Sequence, residues 1–322
     1  MQVHYQLETL PLFRNAVITI GTFDGVHSGH QKIIDQLLAE AKEANGESII
    51  ITFEPHPRTI VSPGANSLKL INTLPEKLQL LQSKGIDHVV IVPFTKVFAD
   101  QPALDYVQHF LVAKFKPHSL IIGYDHRFGH NREGDYQLLE KLKHSYNFKL
   151  KEIPAKVLHH VTVSSTRIRE TLQAGLIDEA NALLGYPFFF EGVVVQGNKL
   201  GRTIGFPTAN LQVQGTDKII PGHGVYAVHA CLPGDGTCLL KGMMNIGIRP
   251  TVDGTRETVE VNLFDFDRDI YDQTLRVCLI ERLRGEVKFA GIDALKAQLA
   301  TDKQNAKKAL AGKDLLPGKL IG

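Results

Sequence analysis

AVITIGTFDGVHSGH, residues 16–30, carries an apolar strand straight into a glycine-bearing turn and then into a helix. The helix is read from Ile33, Ile34, Leu37, Leu38 and Ala41, which fall on one face at a period of 3.6 residues, as in a helix packing on a sheet. The same texture continues outward through SIIITF, HVVIVPF and SLIIGY, separated by amphipathic stretches, to about Leu150. Short apolar runs alternating with helices predict βαβ units around a parallel sheet, hence an α/β first domain.

Beyond Pro187 the pattern changes to closely spaced β-type runs with Gly, Pro and Asp between them: FFFEGVVVQ, GVYAVHA, LLKGMMNIG, ETVEVNLF and TLRVCLIERL. These runs predict an antiparallel barrel or sandwich. From Gly291 onward Ile292, Leu295 and Leu299 are spaced helically, so a closing helix is expected to pack on it. The two textures meet in SSTRIRETLQAGLIDEANALLGYP, a helical segment with stop signals at Gly185 and Pro187. The boundary is therefore placed there, giving domains 1–185 and 186–322.

A chain of 322 residues suits two domains of ordinary size, and 43% hydrophobic with 22% charged residues is a globular composition. The 36 Lys+Arg against 34 Asp+Glu leave a net charge of +2, too little to recruit nucleic acid or an anionic membrane. The three cysteines, Cys231, Cys238 and Cys278, fit neither a zinc site nor a disulfide framework, which points to a reducing compartment. Glu8 interrupts what a signal peptide would keep apolar, and no run reaches spanning length. A cytoplasmic protein, monomeric or weakly oligomeric, without nucleic-acid or membrane partners, is expected.

The turn at residues 21–30 lies between a strand and a helix N-terminus, where unpaired N–H groups and the helix dipole favour an anion. His27 and His30 would there face phosphate oxygens and stabilise charge during in-line displacement. A plainer alternative is that one histidine caps the helix and the other is on the surface. The stretch resembles the HxGH signature of the nucleotidylyltransferase superfamily, whose domain is Rossmann-like. VSSTRIRETL, residues 163–172, similarly resembles its ISSTxIR element, although Ser164, Ser165 and Thr166 before Arg167 and Arg169 also form an ordinary helix start.

IIGYDHRFGHNREGD, residues 121–135, and ITFEPHPR, ending at Arg58, resemble the flavin-adenylyltransferase branch, and a strand C-terminus is where open parallel sheets bind ligands. The structural alternatives are a turn stiffened by Pro55 and Pro57 and a core Phe128. The resemblance implies ATP at Gly21, Phe23, Asp24, His27, His30, Ser164, Ser165, Thr166 and Arg169. It implies flavin at Arg58, Asp125 and Arg127, with FMN phosphate attacking the α-phosphorus of ATP in the presence of Mg²⁺.

In VVVQGNKLGRTIGFPTANL, residues 193–211, Gly197, Gly201 and Gly205 recur every four residues beside Lys199 and Arg202. On the glycines alone, a phosphate-cradling loop and a barrel corner fit equally. Pro207, Thr208, Ala209 and Asn210 follow, and the Thr hydroxyl and Asn carbonyl are hard oxygen ligands suited to Mg²⁺. GFPTAN resembles the hallmark of riboflavin kinases, whose fold is a six-stranded antiparallel β-barrel, and no P-loop G-x-x-x-x-G-K-[ST] occurs.

In ETVEVNLFDFDRDIYD, Val259, Val261 and Leu263 alternate with Glu260 and Asn262. A solvated outer face is the commoner fate of such a glutamate. The kinase resemblance instead makes Glu260 the general base, and places flavin near Glu260, Arg284 and Phe289. It also shows two departures, Asn262 where the family has His and Asp272 where DLYG ends in Gly. GHGVYA, residues 222–227, fits a dinucleotide fingerprint only formally, and His159 and His160 lack partners at metal spacing.

Motifs in both halves stand in the order of bacterial bifunctional riboflavin kinase/FAD synthetases. The resemblance implies riboflavin, FMN, FAD and ATP as ligands and Mg²⁺ as cofactor. Two rivals remain at this point: a non-catalytic flavin- or nucleic-acid-binding barrel, and a transferase half using another nucleotide or acceptor.

Overall fold

The four apolar runs of the first half form adjacent parallel strands in a computed structural model that describes residues 1–62, 68–124, 126–153, 163–197, 200–233, 237–251 and 254–313. Asp125, Lys199, His159 and His160 lie outside the described residues. The chain divides into two compact units, Met1–Leu68 with Leu74–Ser164, and Lys69–Thr73 with Ser165–Gly322.

In the first unit β1 (Gln2–His4), β2 (Val17–Ile20), β3 (Ser48–Glu54), β4 (His88–Pro93), β5 (Ser119–Gly123) and β6 (Lys149–Ile153) form one sheet in the order β1-β4-β3-β2-β5-β6. Every pairing is parallel. The two edge strands go beyond the four that the sequence shows, for a physical reason. β1 has only three residues, and the KLKEI of β6 buries only Ile153, so neither has an apolar run to mark it.

Helix α1 (Ser28–Glu43) buries Ile34, Leu37 and Ala41, the centre of the expected stripe. Helix α2 (Leu74–Ser83) buries Leu80 and Leu81, and also Lys77. Helix α3 spans residues 103–115 with a π-helical middle, and α4 (Tyr136–Leu142) follows the β5 loop. One core gathers Ile18, Ile49 and Val90 of the sheet with Tyr106, Phe110 and Phe128, so Phe128 is a core residue.

β2 pairs with β3 on one side and β5 on the other. Its C-terminal end is therefore a topological switch point, where chain leaving neighbouring strands departs in opposite directions and opens a crevice. The turn at residues 21–27 follows β2, and the loop from Tyr124 follows β5.

The second unit settles the choice between barrel and sandwich. β7 (Phe189–Val195), β8 (Ala209–Val213), β9 (Gly224–Leu232), β10 (Thr237–Thr251), β11 (Gly254–Leu263) and β12 (Thr274–Arg284) close a six-stranded antiparallel barrel in the order β10-β11-β8-β7-β12-β9. It carries α5 (Ser165–Gln173) and α6 (Ile177–Leu184), the latter ending at Gly185 with φ of 80° as its stop signals predict. Asn181 of α6 binds the barrel by donating to Leu279 O (2.9 Å) and accepting from Phe188 N (2.7 Å).

The strap Lys69–Thr73 also belongs to this unit, and the sequence did not signal it. The ammonium of Lys218, 3% exposed, donates to Ile71 O (2.7 Å) and Phe189 O (2.8 Å).

Helix α7 (Ile292–Ala309) covers Ala227, Met243, Phe264 and Ile280. Its buried anchors are Ala306, Asp302 and the following Leu310, while Ile292 is 52% exposed. Of the expected apolar residues, Leu299 packs against that cluster, and Leu295 and Leu299 line a cavity.

Leu37→Ala should cost about 2–5 kcal/mol, because its fully buried side chain holds α1 and the turn before it. Chemical denaturation monitored by circular dichroism measures the loss.

Candidate active sites

In the first unit the turn at residues 21–27 is tightly folded. Phe23, Gly25 and Val26 all have left-handed backbones, with φ of 48°, 89° and 35°. A β-branched residue there is strained by about 1–3 kcal/mol and persists because its surroundings determine it. Val26 N donates to Phe23 O (3.1 Å), and Gln31 Nε2 donates to Val26 O (3.0 Å).

His27 is the N-cap of α1, its Nδ1 accepting from the backbone N–H of His30 at 3.3 Å. Capping does not compete with a ligand role. With Nδ1 an acceptor, a neutral His27 carries its proton on Nε2, leaving that N–H as a donor. The His27 and His30 rings stack with centroids 3.7 Å apart, and Phe23 lies 5.0 Å from His30.

Burial drives the pKa of His30 well below 6.5, assisted by His27 and Lys77. Its Nδ1 is buried without a hydrogen-bond partner. The structure thus gathers Gly21, Phe23, Asp24, His27 and His30 in one turn, with Asp24 2% exposed.

Lys77 and Thr52 were not among the residues expected here. Lys77 Nζ donates to Thr22 O (3.0 Å) and Thr52 Oγ1 (3.3 Å), and Thr52 Oγ1 itself donates to Thr22 O (3.1 Å). Burial lowers the Lys77 pKa, while Asp24 and Glu54 oppose that shift. One signal was available: Lys77, Leu80 and Leu81 share a helix face, an unusual company for a lysine.

Other sequence-derived positions have less open roles. Arg58 is exposed at a short helix, Pro57–Val61. Arg127 is ion-paired with Asp135 at 2.7 Å; Asp135 also accepts from Leu138 N at the start of α4. The Leu138 bond and Arg127 hold that carboxyl below its usual range. Ser164 ends the first unit, whereas Ser165, Thr166 and Arg169 belong to the second. There Arg169 is 9% exposed with Nε donating to Lys69 O (2.6 Å), and Arg167 pairs with Glu179 at 2.7 Å.

In the second unit, strand register assembles a polar row. Val195 pairs with Asn210, Asn210 with Glu260, Glu260 with Asn245, Asn245 with Val225, and Val225 with Arg284. Directly opposed residues share a face, so Asn210, Glu260 and Asn245 line up. Asn262 and Met243 are a register pair two residues along, and Met243 packs in the cluster under α7. Glu260 is therefore on the outer barrel face, as the plainer reading had it, but on the side sheltered by α7.

Two cavities meet at Thr208. One, of about 310 Å³, is lined by Phe206, Met243, Asn245, Glu260, Phe289 and Leu299 among others, and by Arg284. The other, of about 490 Å³, is lined by Arg202, Pro207, Phe266, Arg268, Asp269 and Tyr271 among others. Thr208 borders both and places its hydroxyl 3.4 Å from Glu260 Oε2.

Glycine is required beside them: a Cβ at Gly197 would strike the Asn210 amide, and one at Gly201 would strike Phe206 O. Gly205 has φ of 84°. The guanidinium of Arg284 forms a forked pair with buried Asp302 of α7, with Nη2 to Oδ2 at 2.7 Å, and lies 5.8 Å from the Phe289 ring. Arg284 thus anchors α7 at the rim of the first cavity.

Both departures have structural accounts. Asn262 donates to Pro207 O at 2.6 Å, holding the loop before Thr208. Asp272 has φ of 61°, the left-handed conformation a glycine would supply and that Asp tolerates better than most residues.

Comparison with known proteins assigns a family to each half. The model described as FAD synthetase matches residues 11–167, and that described as riboflavin kinase matches residues 184–310. The bifunctional riboflavin kinase/FMN adenylyltransferase of Escherichia coli K12 is 40% identical over 90% of this chain and 91% of its own length. That of Bacillus subtilis is 35% identical over 90% and 91%.

The chain belongs to the bifunctional riboflavin kinase/FMN adenylyltransferase family. A solved structure described as a macrolide-efflux protein from Streptococcus pneumoniae shares the fold, with a TM-score of 0.84, 29% identity and coverage of 95% of this chain and 98% of its own. Among the described residues here, no helix is long and apolar enough to cross a membrane. With a riboflavin-kinase match over the whole barrel, the reading of this family member's second unit as a non-catalytic binder is not supported.

Because the folded chain disfavours His30 protonation while the unfolded chain accepts a proton near pH 6.5, the unfolded state gains protons first on acidification. Stability should therefore fall as pH drops from 6.5 through the lower folded-state pKa. His30→Gln should flatten this part of the profile, measured by urea midpoints between pH 4.5 and 7.5.

Proposed function

We propose that the second unit phosphorylates riboflavin with ATP to give FMN and ADP, and that the first transfers AMP from a second ATP to FMN, giving FAD and pyrophosphate. The observation that carries the kinase reading is Thr208, bonded to Glu260 at the meeting of two cavities. The one beside Glu260, with Phe206, Met243 and Phe289 in its lining, suits the flavin ring system. The one with Arg202 and Arg268 suits a polyphosphate.

In this arrangement Glu260 accepts the proton of the riboflavin ribityl hydroxyl as it attacks the γ-phosphorus. Thr208 orients Glu260, and the backbone around Gly197, Gly201 and Gly205, with Lys199, Arg202 and Pro207, holds the nucleotide phosphates. Phe289 and Arg284 shape the flavin end.

The Thr208 hydroxyl and the Asn210 side-chain carbonyl are hard oxygen donors on one side of Glu260, which suits Mg²⁺ completing its shell with phosphate oxygens. Among the described residues there is no cluster of three or more His, Cys, Asp or Glu that could hold a metal alone. Bound there, Mg²⁺ would neutralise phosphate charge.

In the first unit the N-terminus of α1 and the Nε2–H of His27 receive triphosphate oxygens, with His30 as a neutral donor beside them. Gly21, Phe23 and Asp24 shape the nucleotide pocket. By their match to the family motifs alone, Ser164, Ser165, Thr166 and Arg169 are assigned to triphosphate binding, and Arg58, Asp125 and Arg127 to FMN binding. The FMN phosphate is the nucleophile, so no protein nucleophile is needed.

The first domain is taken as residues 1–185 and the second as 186–322. We place both reactions in the cytoplasm, in a monomer or weak oligomer that does not use nucleic acid. The buried thiols of Cys231 and Cys278 suit a reducing compartment.

Purified protein with riboflavin, ATP and Mg²⁺, followed by chromatography, should yield FMN and then FAD. His30→Ala should accumulate FMN, and Glu260→Ala should make FAD only when FMN is supplied. Normal riboflavin phosphorylation by Glu260→Ala would refute Glu260 as the base, and substitution of CTP for ATP checks the nucleotide.

A further inference from the structure

Lys77 has no role in the scheme above, yet it is a buried cation at its first site, bonded to the carbonyl of Thr22. Its side chain shares an apolar helix face with Leu80 and Leu81 and is only 6% exposed. Burying an ammonium is costly, and an apolar residue of similar length would fill that face more cheaply. Nor is the ammonium needed to satisfy the Thr22 carbonyl, which already accepts from Thr52 Oγ1 at 3.1 Å. What an apolar residue would not supply is the charge.

The surroundings show what the charge acts on. Asp24 from the turn and Glu54 from the end of β3 interact electrostatically with Lys77. His30, on the first turn of α1, interacts with both Lys77 and His27. Removing the ammonium would take a positive charge from beside two carboxylates, next to a turn proposed to receive an anion.

We propose that Lys77 is a positioning residue for adenylyl transfer, its ammonium offsetting Asp24 and Glu54 beneath the 21–27 turn so that the turn accepts a triphosphate and His30 remains a neutral hydrogen-bond donor. The proposal rests on the first unit being the adenylyltransferase. A fixed cation then carries the positive charge, and the buried imidazole contributes a directed N–H without itself becoming charged.

The test uses the full chain and Lys77→Gln, which retains an N–H donor for Thr22 O but removes the charge. FMN adenylylation should lose about thirtyfold or more in kcat/KM for ATP, as expected when one partner of a buried charge cluster is removed. The acid limb of its pH profile should move upward, because removing a neighbouring cation raises the pKa of His30. NMR titration of histidine-labelled protein, with the His30 resonance assigned from His30→Gln, should show that same rise without any catalysis.

Thr52→Val keeps the ammonium and removes one of its acceptors, so it should leave the His30 titration near that of the parent. Riboflavin phosphorylation by each preparation reports that the chain is folded, and Lys77→Met replaces the Gln variant if that control fails. An unchanged His30 titration together with undiminished adenylylation in Lys77→Gln would overturn the proposal. So would a shift in Thr52→Val as large as in Lys77→Gln, since packing rather than charge would then be responsible. Absence of FAD synthesis by the unsubstituted chain would instead refute the assignment of the first unit, while the titration still decides the electrostatic role of Lys77.

Discussion

A backbone carbonyl buried where it leaves regular structure must find a donor, and in this protein buried side chains supply one at each decisive place. Lys77 and Thr52 meet Thr22 O at the end of β2, and Asn262 meets Pro207 O ahead of Thr208. Lys218 meets Ile71 O and Phe189 O, and Asn181 meets Leu279 O, fastening the strap and α6 to the barrel. Each bond crosses a long stretch of sequence. The turns that form the sites are therefore held in position from outside themselves.

The first site shows how this support becomes chemistry. Three left-handed residues among four, Phe23, Gly25 and Val26, fold the chain tightly after β2, and the His27 and His30 rings beyond them stack. Burial, with His27 and Lys77 nearby, disfavours protonation of His30, which makes it a poor imidazolium. The HxGH spacing places one ring at the helix cap and the other within the first turn. The charge of the site then depends on groups outside the motif.

The barrel site follows a different logic, that of register. Antiparallel pairing sets Asn210, Glu260 and Asn245 side by side, although they are far apart in sequence. Helix α7 converts this outer face into a sheltered one, locked by the Arg284–Asp302 pair and by Ala306 and Leu310. The substitutions at Asn262 and Asp272 keep the needed features in other forms, one a donor to Pro207 O and the other a left-handed backbone. A motif can thus differ in letters while its geometry is preserved.

The sequence alone determined the α/β and all-β division, the strand–turn–helix at residues 16–30 and the residues of both motifs. Those features arise from local periodicity and from turn chemistry within a few residues. Strand texture left barrel and sandwich open and only the riboflavin-kinase resemblance named the barrel; the sequence also missed the weakly apolar edge strands β1 and β6 and gave Ile292 a packing role that Ala306 and Leu310 hold. It also passed over Lys77, Asn245 and Asp302. Only the tertiary structure decided these, because a lysine's burial, an asparagine's cross-strand neighbour and an arginine's partner depend on residues distant in the chain, which no local pattern encodes.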